Sequence, residues 1–174
     1  MAQKDRLKLW LDQSRKTSEG MLADFKTSDD WVYQVDPSAN HAMWFIGHMT
    51  STDNFVISKL APERAVELPA NYKELFGMGS HPVDDPAIYP TPDEALRLFR
   101  ERRQALLAVL EKLSDEELSK PLAGGGPAFL TDNASMFELI VWHEGLHCGQ
   151  MSVARRALGH APLMGGAPPS PTKA

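Results

Sequence analysis

Apolar residues recur along the chain at spacings of three and four residues, the period that places side chains on one face of a helix. This pattern fills four long stretches, and strand-like alternation of apolar and polar residues extends over only a few residues at a time. The hydrophobic pattern therefore predicts an all-α protein.

The first two predicted helices lie in the N-terminal third of the chain. The first covers residues 4–27. The second is predicted to begin with Asp36 as its N-cap and Pro37 in the first helical position, where a proline loses no hydrogen bond. It is predicted to end near Ala61, just before a proline.

The segment over residues 62–90 is the least regular part of the pattern. Short helical turns are predicted at residues 62–68 and 71–76, and the glycine- and proline-rich stretch GMGSHPVDDPAIYP follows. We interpret this stretch as a long crossover loop. Long loops of this kind are often functional, for example as lids.

The third long helix has a strong start signal. Thr91 is predicted to be its N-cap, Pro92 takes the first position, and Glu94 completes a capping box. This helix is expected to run to about Leu113. Another short turn is predicted from Ser114 to Leu118, again with a serine and a glutamate at capping-box spacing.

The last long helix is predicted to open at Ser135 and Glu138 and to end at Gly159. A flexible loop, AGGGPAF, precedes it, and the proline-rich tail APPSPTKA is predicted to be disordered. Four long helices with one long connection between the second and third describe a four-helix bundle with a crossover.

Length, charge and cysteine content restrict the functional classes. A chain of 174 residues suits one well-buried domain, and its net charge of −5 argues against a nucleic-acid partner, which needs a basic face. No apolar run approaches the roughly 18 residues of a membrane span, and the N-terminus lacks a signal-peptide core. The single cysteine excludes an internal disulfide and predicts a reducing cytoplasm.

Two histidines of the last helix, His143 and His147, lie four residues apart and hence on the same face. Two neutral imidazoles so placed can bind one metal ion. The pair also matches the H-E-x-x-H pattern of zinc peptidases. However, no acidic residue follows Glu144, and Gln150 and Val153 replace the glycine and histidine of the extended metzincin pattern. We therefore reject the peptidase interpretation.

The third ligand must come from upstream, and His48 is the best candidate. It lies mid-helix in an apolar segment, directly after Gly47. A glycine inside a helix costs about 1 kcal/mol relative to alanine, but it also lets another helix or a ligand approach closely. Three histidines from two facing helices would leave positions open for water or substrate, as catalytic metals require.

The segments NHAMWFIGH and WHEGLHCGQMSVARRALGHAPL resemble the two signatures of the DinB superfamily. The resemblance covers nearly the whole chain, and the second signature, H-x-x-x-H-x-G-Q followed by R-R-x-L-G, is the more specific one. It implies a bundle domain over residues 1–163, followed by a disordered tail at 164–174. It also implies a homodimer with a divalent zinc, nickel or iron ion on His48, His143 and His147.

Characterised relatives in this superfamily include thiol-dependent transferases and isomerases that use mycothiol or bacillithiol. The resemblance therefore implies a small-molecule substrate, with thiols among the candidates. The family name records induction by DNA damage rather than chemistry on DNA, and the acidic net charge agrees with that distinction.

Several other polar residues have two possible roles. Glu144 either reaches a metal-bound water or orients a ligand, or it is a salt-bridged glutamate. His41 is a site residue or a helix-end histidine, and Cys148 is interpreted as a buried, inert thiol. The remaining candidates, in cavity or surface positions, are Trp44, Asp53, Asn54, His81, Gln150 and His160.

Two functional hypotheses remain. In the first, the protein is a cytoplasmic metalloenzyme whose metal acts as a Lewis acid in thiol S-transfer or hydrolysis, with Glu144 as the catalytic candidate. In the second, it is a non-catalytic, stress-related binding module in which the metal is structural.

Overall fold

The computed structural model describes residues 1–123 and 127–163 of the protein. Within these ranges every regular element is helical, which confirms the predicted all-α class. The α-helices are α1 (Gln3–Leu22), α2 (Ser28–Trp31), α3 (Ala42–Leu60), α4 (Tyr72–Phe76), α5 (Pro92–Lys112), α6 (Asp115–Leu118) and α7 (Asn133–Ala157). Short 3₁₀ turns occur at Pro62–Arg64 and Pro86–Ile88. The predicted disordered tail and the three glycines of the predicted flexible loop lie outside the described residues.

The first helix ends at Leu22, five residues before its predicted end, and the last predicted residue, Thr27, is instead the N-cap of a second helix. The hydroxyl of Thr27 accepts a hydrogen bond from the backbone N–H of Asp30, whose carboxylate accepts from the N–H of Thr27. This capping box satisfies the first free N–H groups of α2 and so favours a new helix start over continuation of α1.

The predicted start of the second long helix at Asp36 and Pro37 is wrong. The Asp36 carboxylate accepts hydrogen bonds from the N–H and the hydroxyl of Ser38, which closes a local turn instead of a helix. The N-cap of α3 is His41, whose Nδ1 accepts from the N–H of Trp44 at 3.0 Å. The predicted end near residue 61 is confirmed, since α3 ends at Leu60.

The capping signals of the later helices have different outcomes. The boxes predicted at Thr91 and Ser114 are both present, and they begin α5 and α6. Ser135 is not the N-cap of α7, because Asp132 takes that position and accepts from the N–H of Ser135 at 2.9 Å. Gly159, with φ of +90°, follows the end of α7 as predicted.

The four long helices pack in a ring in which α1 contacts α5 and α7, and α3 contacts the same two helices. Hydrogen bonds from Asn40 to Gln150 and the approach of His48 to His143 show that α3 and α7 run in opposite directions. This arrangement is compatible with the predicted bundle and its crossover between α3 and α5. No helix in the described part of the chain is long and apolar enough to cross a membrane.

Four charged side chains, one from each long helix, meet inside the core. We call Arg15, Asp53, Arg103 and Glu144 the charge cluster. Arg103 contacts both carboxylates, with N–O distances of 3.0 Å to Asp53 and 2.8 Å to Glu144. Arg15 does the same, at 3.1 Å and 2.8 Å. Two cations and two anions therefore neutralise each other between the helices, which is the condition for tolerating buried charge.

Candidate metal centre

The structure brings together the three histidines selected from the sequence. Each offers one ring nitrogen, and the three atoms lie within 4.8 Å of one another. His143 lies in the middle, with its Nε2 3.3 Å from Nε2 of His48 and 2.9 Å from Nε2 of His147. His48 comes from α3, while the other two are one turn apart on α7.

These separations fit a common metal ion. Imidazole nitrogens bind zinc at about 2.0–2.1 Å, so two of them on one ion lie roughly 2.8–3.4 Å apart at octahedral to tetrahedral angles. The two observed N–N distances lie within that range. Two of the three N–N separations therefore already suit one ion, and the third, between His48 and His147, is at most 4.8 Å.

The tautomer of His48 is fixed by the chain that follows α3. Its Nδ1 lies 2.8 Å from the carbonyl oxygen of Phe76, the last residue of α4. Since a carbonyl only accepts, Nδ1 carries the proton, and the lone pair of Nε2 faces the other two rings. The close packing at Gly47 expected from the sequence is present, because the Phe76 ring lies against that glycine.

The tautomer of His147 is fixed within α7. Its Nδ1 lies 2.8 Å from Oε1 of Gln150, an oxygen that also accepts a hydrogen bond of 3.1 Å from Asn40. The amide oxygen accepts the Nδ1 proton, so Nε2 of His147 also presents a lone pair. Ligand histidines in metal sites are held by outer hydrogen bonds of this kind.

The donor set explains why a cation suits the site. Nε2 of His48 and Nε2 of His147 both need a partner, but His143 can donate a single proton from its own Nε2. Burial, with smaller contributions from the neighbouring His147 and His48, lowers the pKa of His143 from 6.5 to about 4. Burial likewise lowers the pKa of the other two histidines. The rings are therefore neutral at pH 7, the state that binds metal.

The site is buried on two sides and open on the third. His48 and His147 are buried, whereas His143 is half-buried. The indole of Trp44 stacks on the His48 ring, with centroids 4.4 Å apart, and its Nε1 donates to the Ser80 hydroxyl at 2.7 Å. Trp44 therefore forms one wall of the site, and the half-exposed ring of His143 marks the approach from solvent.

Glu144 lies directly after His143 but belongs to the charge cluster. Besides the two arginines, Ser14 and Ser18 donate to its carboxylate, at 2.9 Å and 2.8 Å. Burial alone would raise the pKa of Glu144, but Arg15 and Arg103 outweigh that effect and lower it. These contacts support the salt-bridge interpretation of Glu144. They give no support to a catalytic role.

The other histidines and the cysteine lie outside the three-ring cluster. His41 is fully buried at the start of α3, where Nε2 lies 3.1 Å from the Val83 carbonyl oxygen. His81 is exposed, and His160 is half-buried after the last helix.

Cys148 is buried, and its sulfur lies 3.2 Å from the Ser18 hydroxyl. Burial raises the pKa of this thiol, which agrees with an inert thiol.

The sequence identified the three rings but not most of their supports. The Phe76 carbonyl is a main-chain group, and no sequence pattern marks it. Gln150 was noted from the sequence only as a candidate to line the cavity, and its hydrogen bond to Asn40 joins residues 110 positions apart. Asp53 belongs to the charge cluster, and Asn54 donates to the carbonyl of Val66, so neither contacts the rings.

Comparison with known proteins gives one result at the level of family. No curated protein matches the sequence. A family model described as the DinB superfamily matches residues 10–151, a range that includes most of α1, the crossover and all three histidines. The match spans well over half of the chain, and the helical fold agrees with it. The chain belongs to the DinB superfamily.

Proposed function

We propose that the protein is a metal-dependent enzyme that acts on a small molecule by thiol S-transfer or hydrolysis. The observation that carries this proposal is the convergence of three neutral imidazole nitrogens from α3 and α7. His48, His143 and His147 would hold the ion. Three protein ligands leave coordination positions open, which is typical of catalytic rather than structural zinc sites.

A divalent ion at such a site is a Lewis acid that lowers the pKa of a bound water or thiol. The residues of the chain have separate tasks. Phe76 and Gln150 orient two rings, Trp44 covers one side, and the half-exposed His143 leaves the substrate a path. Zinc, nickel and iron all accept imidazole ligands, so the donor set is compatible with each of them.

The metal content of protein purified without chelators tests the proposal. We expect about one ion per chain by elemental analysis, and less than about 0.2 in His48→Ala and His147→Ala. His81→Ala is the matched control, because that histidine is exposed in the crossover and should leave the content unchanged. Wild-type protein with less than about 0.2 ion per chain, unchanged in His48→Ala, would contradict metal binding. Anomalous scattering from crystals identifies the ion.

A structural role for the metal is the second candidate, since the ligands join two long helices and two of the rings are buried. Chelation separates the two functions. If a chelator sharply lowers the melting temperature and added thiol leaves the spectrum of the cobalt-loaded protein unchanged, the role is structural. An enzyme would keep its fold without metal, and added thiol would perturb the cobalt spectrum.

We also propose a homodimer. Large apolar side chains are exposed on one side of α7, at Trp142, Leu146 and Val153, with exposed fractions of 63%, 48% and 56%. A second copy of the chain would cover them. Sedimentation analysis of the wild type and of Leu146→Glu tests this, with the variant expected to be monomeric.

The buried Cys148 fits the proposed cytoplasmic location, where thiols stay reduced.

A further inference from the structure

We propose that Gln150, held in place by Asn40, is a positioning residue that orients His147 and selects anionic ligands by keeping the surroundings of the metal uncharged. This inference rests on the proposed metal site. The residue lies one turn after His147 on α7, and its side-chain oxygen accepts from both the imidazole and the Asn40 amide.

The first part of the argument concerns geometry. Asn40 lies just before the N-cap of α3, so its hydrogen bond to Gln150 connects the start of one metal-bearing helix with the middle of the other. The Gln150 oxygen lies 2.8 Å from Nδ1 of His147, and the Asn40 amide is its second hydrogen-bond donor. Removing this oxygen would free the ring to rotate and to change tautomer, which weakens its use as a ligand.

The second part concerns charge. Histidine ligands often donate their second N–H to a carboxylate, which raises the basicity of the ligand. Here the acceptors are the Phe76 carbonyl and the Gln150 amide, both of which are neutral. The nearby carboxylate of Glu144 is paired with Arg15 and Arg103. The three neutral ligands therefore leave both charges of a divalent ion uncompensated, so the open side favours an anion such as a thiolate or a carboxylate.

Two substitutions of Gln150 separate the parts of this argument. Gln150→Ala removes the acceptor, and we expect a fall in cobalt affinity of about 10- to 100-fold, measured by competition with a chromophoric chelator. Gln150→Glu keeps an acceptor of the same shape but adds a negative charge. We expect it to retain cobalt affinity and to bind azide about tenfold more weakly, followed in the visible spectrum of the cobalt-loaded protein.

The matched control is Gln13→Glu, which adds the same charge to an exposed position of α1 and should change neither constant. Asn40→Ala tests the same hydrogen-bond bridge from its other end, and a smaller loss of cobalt affinity is expected. Circular dichroism of every variant verifies the fold, and Asn40→Ala decides the matter if Gln150→Ala unfolds.

The outcomes distinguish the two levels of the proposal. Wild-type protein that binds no cobalt overturns the metal site itself. If the wild type binds cobalt and both Gln150→Ala and Asn40→Ala retain its affinity, the positioning role is wrong. If Gln150→Glu binds azide as tightly as the wild type does, the neutral surroundings do not select the ligand.

Discussion

The ring of Phe76 lies directly on the backbone of Gly47, where a Cβ atom would come within 2.3 Å of two ring carbons. This packing seats α4 on α3 one residue before His48, and the carbonyl oxygen of Phe76 reaches Nδ1 of that histidine at 2.8 Å. The glycine therefore provides the space that lets the crossover orient His48, one of the three proposed metal ligands.

Gly47→Ala should weaken both the fold and the metal site. Alanine favours the helix by about 1 kcal/mol, but displacing the buried Phe76 ring costs about 1–3 kcal/mol as overpacking. We expect a net loss of stability in urea unfolding and weaker cobalt binding, because the support of His48 moves. Gly145→Ala is the matched control on α7, where a Cβ atom would meet nothing within 4 Å. It should be neutral or stabilising, and equal effects of the two substitutions would contradict the packing argument.

Removing one member of the charge cluster should destabilise the protein strongly. Glu144→Gln leaves Arg15 and Arg103 with a single carboxylate in the core, and breaking a buried ion pair costs about 3–5 kcal/mol. Urea unfolding measures this loss. Arg97→Met, which removes an exposed ion pair with Glu101, should cost less than about 1 kcal/mol. A stable Glu144→Gln protein that binds metal but lacks turnover would instead restore the catalytic interpretation of Glu144.

The N-cap histidine of α3 should make the fold sensitive to acid. His41 accepts from the N–H of Trp44 through Nδ1, so its proton is on Nε2, which faces the Val83 carbonyl oxygen and the Tyr89 hydroxyl. Burial is the main cause that lowers its pKa from 6.5 to about 4, while Asp84 raises it slightly. Protonation of Nδ1 would destroy the cap.

Because the pKa of His41 is lower in the folded state, the unfolded chain binds more protons between about pH 4 and 6.5. The neutral His41 ring therefore contributes about 3 kcal/mol to the free energy of unfolding. This contribution is fully present above pH 6.5 and is lost as the pH falls toward 4. His41→Asn keeps a capping oxygen but has no proton to gain. The wild type should lose more stability than this variant between pH 7 and 5, and parallel losses would rule out the assignment.

Metal loading and removal should be visible in tryptophan fluorescence. Trp44 stacks on His48 at 4.4 Å, so a nickel or cobalt ion on the three histidines should quench its emission. A chelator should restore the emission. Trp44→Phe should reduce the metal-dependent change, whereas Trp31→Phe, in α2, should preserve it. Trp142 also stacks on a candidate ligand, with its ring centroid 6.3 Å from that of His143, so it should be quenched as well. An unchanged response in the double variant Trp44→Phe, Trp142→Phe would mean that the ion binds elsewhere.

The sequence predicted those features that depend on neighbouring residues. The i,i+4 pair on α7 and the capping box of Thr91 and Glu94 are local, and both have the expected geometry. The predicted N-caps at Asp36 and Ser135 were wrong because several capping residues compete within a few positions, and the surrounding contacts decide between them.

The role of Glu144 could not be decided from its neighbours in the sequence. Its position on α7, about 100° from His143, is compatible with facing either the metal or the core. Two arginines hold it in the core. Arg15 lies 129 residues earlier in the chain, and Arg103 lies on a different helix, α5. Such distant pairings leave no trace in a local pattern.

The last member of the charge cluster to be synthesised lies beside the proposed metal site. During synthesis, Arg15, Asp53 and Arg103 leave the ribosome first, and together they carry an excess of one positive charge. The second carboxylate arrives with Glu144, next to His143 on the last helix. Neutralisation of the core and arrival of the last two candidate ligands therefore coincide, and we expect a nascent chain to complete the three-histidine cluster only as its last helix docks.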